Sequence, residues 1–75
     1  MHDPRYKFLL KRLREARVAA GLTQVDVAKA LGKTQAWVSK CELGERRIDP
    51  LDLQSFAALY RLPFSYFLPK ALTKG

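Results

Sequence analysis

Gln35, Ala36, Ser39 and Lys40 lie within the stretch TQVDVAKALGKTQAWVSKCELG, residues 23–44. On a helix their spacing puts them on one face. A face turned to water would normally show Glu and Lys. This one shows an amide, a methyl, a hydroxyl and one amine, which are the types that hydrogen-bond to and pack on the edges of DNA bases. Residue types for other chemistry are missing. The single histidine is His2 and the single cysteine is Cys41. There are no paired carboxylates in a motif, no Gly-rich phosphate loop and no Ser-His-Asp set. Cys41 falls on an expected inner face, where a thiol behaves as a small hydrophobe. The expectation is a protein without catalysis, metal or cofactor.

Charge points the same way. Fourteen Lys and Arg against seven Asp and Glu leave +7 over 75 residues, with a pI near 10.0. So basic a small domain carries the electrostatic footprint of a nucleic-acid binder, although membrane surfaces and acidic proteins would attract it too. A hydrophobic fraction of 48% is that of a folded protein. One cysteine permits no internal disulfide and fits a reducing compartment. No apolar run reaches the ~20 residues of a membrane span, and the charged start lacks a signal core. These features predict a soluble, cytoplasmic protein. The chain reads as one domain over 1–75, with its core at about 5–68 and a short flexible tail at 69–75.

The elements that must position the polar face are short helices. Asp3 and Pro4 start the first, which runs to about Ala20 with Leu9, Leu13, Ala16 and Ala20 as its buried stripe, Leu10 and Arg17 beside it, and Gly21 as its stop. Thr23 caps the second and Asp26 completes a capping box; Val27, Ala28 and Leu31 face inward and Gly32 ends it. Thr34 caps the third, Val38 and Cys41 face inward, and Gly44 stops it. Asp49-Pro50-Leu51-Asp52 opens a fourth, with Leu53, Phe56, Ala57 and Tyr60 on its core face. Pro63 restarts the chain into a fifth, from Phe64 to about Leu68. No stretch alternates as a strand would. The predicted fold is all-α, a compact five-helix domain.

Helices two and three have the spacing of a steeply crossed pair. Ala28 is the small residue where the axes approach, Gly32 supplies the turn, and Val38 and Cys41 pin the third helix to the second. The run LTQVDVAKALGKTQAWVSKCELGERRI resembles the helix-turn-helix of the Cro and phage-repressor family, the xenobiotic-response-element class. Leu22-Thr23-Gln24, Val27-Ala28, Leu31-Gly32, Thr34-Gln35, Val38-Ser39, Glu42 and Gly44 all fall in register, and the similarity extends from Leu9 to about Leu68.

The resemblance implies a lambda-repressor-like domain whose third helix enters the DNA major groove. Gln35 and Ala36 would open the recognition helix, with Gln matching adenine N6 and N7 and the Ala methyl meeting a thymine methyl. Ser39 and Lys40 share that face, and Lys40 reaches guanine or a phosphate. Gln24 sits where the family holds a phosphate at a helix start. Lys33, Thr34, Arg46 and Arg47 are the further backbone contacts, although capping alone would select Thr34. Lys7, Lys11, Arg12 and Arg14 read as a solvated face, with Arg14 the candidate for a distal phosphate. Trp37, at the exposed third position, would either pack on sugar-phosphate or a base edge, or cover the neighbouring turn. Arg17 would pair with Glu42 and hold helix one to helix three, a mainly structural role.

A single domain reading four or five base pairs has little specificity, so a homodimer, at least on DNA, and an inverted-repeat operator are expected. The segment Tyr60–Leu68 is rich in aromatics, and Leu62, Tyr66 and Leu68 are the candidates for an exposed apolar dimer surface. Such a protein would act by occupancy, blocking RNA polymerase or touching it from an adjacent site. The alternative is a helical RNA-binding or protein-interaction module, with Trp37 as the one aromatic placed to stack on bases.

Overall fold

The computed structural model describes residues 3–69. His2 and residues 70–75, most of the expected tail, lie outside the described residues. Four α-helices follow one another: α1 (Pro4–Ala19), α2 (Gln24–Leu31), α3 (Gln35–Leu43) and α4 (Pro50–Tyr60). The fifth expected helix is instead a single 3-10 turn, Phe64–Phe67. The five residues between Pro63 and Pro69 leave no room for an α-helical register, because Pro69 cannot continue one.

Local chemistry sets the helix boundaries. Thr23 Oγ1 accepts the Asp26 N–H at 3.1 Å while the Asp26 carboxylate accepts the Thr23 N–H at 2.9 Å. Asp49 and Asp52 form the same reciprocal pair ahead of α4. Asp3 caps α1 by accepting the Arg5 N–H. Each helix closes with a hydrogen bond from the second or third residue past its end to a carbonyl in the last turn: Leu22 to Arg17, Lys33 to Ala28, Glu45 to Lys40 and Leu62 to Ala57. This closure needs a left-handed residue. Gly32, with φ 69°, provides it between α2 and α3. After α4 the position is filled by Arg61, with φ 58°.

Every element contributes to one core. Leu13 and Ala16 come from α1, Val27 and Ala28 from α2, Val38 and Cys41 from α3, and Leu53, Phe56, Ala57 and Tyr60 from α4, with Phe67 from the 3-10 turn. Phe56 and Phe67 are the largest fully buried side chains; each contributes about 3 kcal/mol at the upper end of apolar side-chain burial. Ala20, expected in the α1 stripe, is exposed, because α1 already ends at Ala19 and the chain turns away. Leu62 and Tyr66 pack against the core and Leu68 is half-buried, so they do not form the exposed apolar patch expected of them. Among the described residues the exposed large apolar side chains are Val18, Val25, Leu43, Leu51 and Phe64. Among the described residues no helix is long and apolar enough to cross a membrane.

Candidate nucleic-acid interface

The α2–turn–α3 hairpin is anchored from behind. Val27, Ala28, Val38 and Cys41 are all buried, and Ala28 lets the two helices approach. The Thr34 hydroxyl accepts the Trp37 N–H at 3.1 Å and starts α3. With Val38 and Cys41 inward, the opposite face of α3 carries Gln35, Ala36 and Lys40, all exposed, and Ser39, half-buried at its edge.

A chain of polar side chains runs from α1 to the tip of that face. Arg17 Nε donates to Glu42 Oε2 at 2.7 Å, its Nη2 donates to Oε1 at 3.2 Å, and its Nη1 donates to the Leu22 carbonyl at 3.0 Å. The Arg17 and Glu42 side chains are only 13% and 4% exposed, and the carboxylate bonds raise the Arg17 pKa above its ordinary value. Gln24 Nε2 donates to Glu42 Oε1 at 3.1 Å, and Gln24 Oε1 accepts Gln35 Nε2 at 2.7 Å. The order of donors follows from charge. Arg17 offers only donors, and the Glu42 carboxylate that receives them only accepts. Gln24 must therefore present its amide nitrogen to Glu42, which leaves its oxygen to accept from Gln35. Gln35 is thereby held with its nitrogen towards Gln24 and its oxygen available outward. Gln24 is thus a brace for Gln35, and one of its two Nε2 hydrogens is already taken by Glu42.

Two shallow concavities flank α3. One is lined by Thr34, Ala36, Trp37, Lys40, Glu45, Arg46 and Arg47. The other is lined by Arg14, Arg17, Gln24, Ser39, Glu42 and Leu43. Each therefore holds basic side chains beside the polar face, and Arg14 of α1 shares the second with Gln24 and Ser39. Lys33 lies exposed in the turn.

Trp37 requires a correction. The indole is half-buried and stacks on Phe56, with ring centroids 5.7 Å apart and planes 15° apart. The α-helical register swings this third position towards α4, so the ring covers the core. Lys33 Nζ and Arg46 Cζ lie 5.0 and 5.4 Å from its centroid. The tryptophan therefore acts as a platform under two cations, with little of its face left for a base. Arg12 is also misplaced by the sequence: it is half-buried, with its guanidinium 4.4 Å from the Tyr66 ring and 5.0 Å from that of Phe8. Lys7 and Lys11 are exposed, as read.

Sequence reasoning missed Tyr6. Its hydroxyl accepts the Ile48 N–H at 3.0 Å and Arg47 lies over its ring at 5.7 Å. No periodic signal links positions 42 residues apart. Cys41 is fully buried and burial pushes its thiol up to about 11, the unreactive end of the range. Among the described residues no group of His, Cys, Asp and Glu could hold a metal ion.

Compared with known families, the sequence matches the helix-turn-helix domain over residues 9–64. The chain belongs to the helix-turn-helix domain family. That match runs from within α1 to the start of the 3-10 turn and is consistent with the Cro and phage-repressor likeness. No curated protein matches the chain significantly. The helix-turn-helix domain is a DNA-binding unit.

Proposed function

We propose that this helix-turn-helix protein is a sequence-specific transcriptional regulator, non-enzymatic, that represses by occupying an operator with α3 in the major groove. The observation that carries the reading is the side-chain chain Arg17–Glu42–Gln24–Gln35, which aims one amide off the exposed end of α3. An outward Gln35 oxygen with one free Nε2 hydrogen matches the N6 donor and N7 acceptor of adenine. Ala36 suits a neighbouring thymine methyl, and Ser39 and Lys40 supply the other base contacts. The two basic flanks support the same placement, because a major groove is bounded by phosphates on both sides. Lys40, Arg46, Arg47 and Lys33 serve one side, with Thr34 at the helix start, and Gln24 and Arg14 serve the other. Trp37 contributes indirectly through Lys33 and Arg46. Its burial on Phe56 removes the aromatic on which an RNA-stacking reading depended.

A single copy reads too few base pairs to find one operator, since each good contact gives about 1–3 kcal/mol of discrimination. The protein therefore binds as a homodimer on an inverted repeat with half-sites about 34 Å apart. Among the described residues of the C-terminal segment, the large apolar side chain left open for such contact is Phe64, 43% exposed. Blocking RNA polymerase is the mode of action, in the cytoplasm on the nucleoid.

Selection of binders from a random duplex pool at about physiological salt tests this, because non-specific attraction is screened there. An enriched inverted repeat with adenine at a fixed place in each half-site is expected. Recovery of duplexes with no common motif would overturn specific regulation, and a single enriched half-site would overturn the dimer.

A further inference from the structure

The loop from Gly44 to Asp49 carries Arg46 and Arg47, and its conformation decides where those two charges sit. Its first part is tied to α3: the Glu45 and Arg46 N–H groups donate to the Lys40 carbonyl at 2.9 and 3.2 Å. Its last residue is tied to α4, where the Asp49 N–H donates to Asp52. Between these ties the Ile48 N–H donates to the Tyr6 hydroxyl at 3.0 Å, and the Arg47 guanidinium lies 5.7 Å from the Tyr6 ring centroid. Tyr6 is half-buried on the first turns of α1, which Asp3 and Pro4 start. A hydroxyl and a ring on one rigid helix thus hold the backbone at Ile48 and the charge at Arg47. A ring beneath a guanidinium restricts a side chain that would otherwise sample many rotamers.

We propose that Tyr6 is a positioning residue for DNA binding: it latches the loop through Ile48 and presents Arg47 to the phosphate backbone. The proposal rests on the DNA-binding reading. It assigns Tyr6 no contact with DNA, because its effect passes through Arg47. Preorganising Arg47 removes part of the ordering cost of the complex, as a rigidified contact does elsewhere.

Two measurements test it, and only the second uses DNA. In the free protein, the Ile48 amide of Tyr6→Phe should exchange with solvent at least about tenfold faster than in the parent, while amides in α3 hold their protection. Unchanged exchange at Ile48 would overturn the latch. The second measurement is affinity for a fixed mixed-sequence duplex across a salt series, for the parent, Tyr6→Leu, Arg47→Ala and the double variant. Arg47→Ala should flatten the log–log salt slope by about 0.9. Tyr6→Leu should weaken binding several-fold and flatten the slope in the same sense. In the Arg47→Ala background, Tyr6→Leu should cost nothing more, since its route is already gone. Additive losses would overturn the proposal, because a general effect on the fold does not depend on Arg47. Failure of the folded parent to bind any duplex would overturn the DNA reading and Tyr6's part in it, while amide exchange would still report on the latch.

Discussion

Gln35 is aimed by residues that lie out of its own helix face, and this makes its neighbours testable. Gln35→Ala should relax the preference at one or two base pairs of each half-site while leaving the affinity for unrelated duplexes nearly unchanged, as read by competition binding. Glu42→Gln tests the brace. A neutral amide offers Gln24 either a donor or an acceptor, so the orientation imposed on Gln35 is lost. The expected result is a weaker adenine preference, with about 1–3 kcal/mol lost in denaturant unfolding. Tyr60 presents the opposite case. Its hydroxyl is buried without a hydrogen-bond partner, and burial pushes its pKa well above the ordinary tyrosine value. An unpaired buried hydroxyl costs stability rather than adding it. Tyr60→Phe should therefore leave the unfolding midpoint unchanged or raise it, and a loss of more than about 1 kcal/mol would mean that the hydroxyl has a partner in solution.

Helix ends set the register of every functional side chain. Gly32 occupies a left-handed position at no steric cost, whereas Arg61 occupies one with a Cβ. That conformation costs an L-residue roughly 1–2 kcal/mol, partly offset because glycine loses more entropy on folding. Arg61→Gly should raise stability by about 0.5–1 kcal/mol in thermal or denaturant unfolding, with no change in DNA specificity. The caps also make stability depend on acid. Hydrogen bonds from Thr23 hold Asp26 below its ordinary carboxyl value, and the bonds from Arg5 lower Asp3 to about 2. A depressed carboxyl contributes fully above its unfolded value near 3.8, and the contribution is lost as pH falls through the folded value. Unfolding midpoints measured from pH 5 down to 2 should fall steadily, and Asp26→Asn should make that fall shallower. The Thr23–Asp26 capping box was legible in sequence because it depends on residues three apart. The final 3-10 turn was not, since a hydrophobic segment between two prolines does not reveal which helix it forms.

At the scale of the whole molecule, a core this small leaves no spare contact. Phe67 lies beyond the region matched to the family, yet it is fully buried in the core, in a turn that packs against α1 and α4. Phe67→Ala should cost about 3–5 kcal/mol, a large share of a small domain's stability, and shift thermal unfolding sharply downward. The hairpin, its caps, its inward residues and its exposed polar face follow from period, turn residues and side-chain type, all of which are local. Thus the sequence by itself determined an all-α basic chain with a helix-turn-helix and an amide-bearing face on its third helix. It also identified the Arg17–Glu42 pair, through a family likeness rather than through physics. Tertiary structure alone decided which way Trp37 turned, what covered Arg12 and Tyr66, how Gln24 came to brace Gln35, and that Tyr6 meets Ile48. Each of these depends on where two distant helices cross. That geometry comes from packing the whole core at once, and no local pattern encodes it.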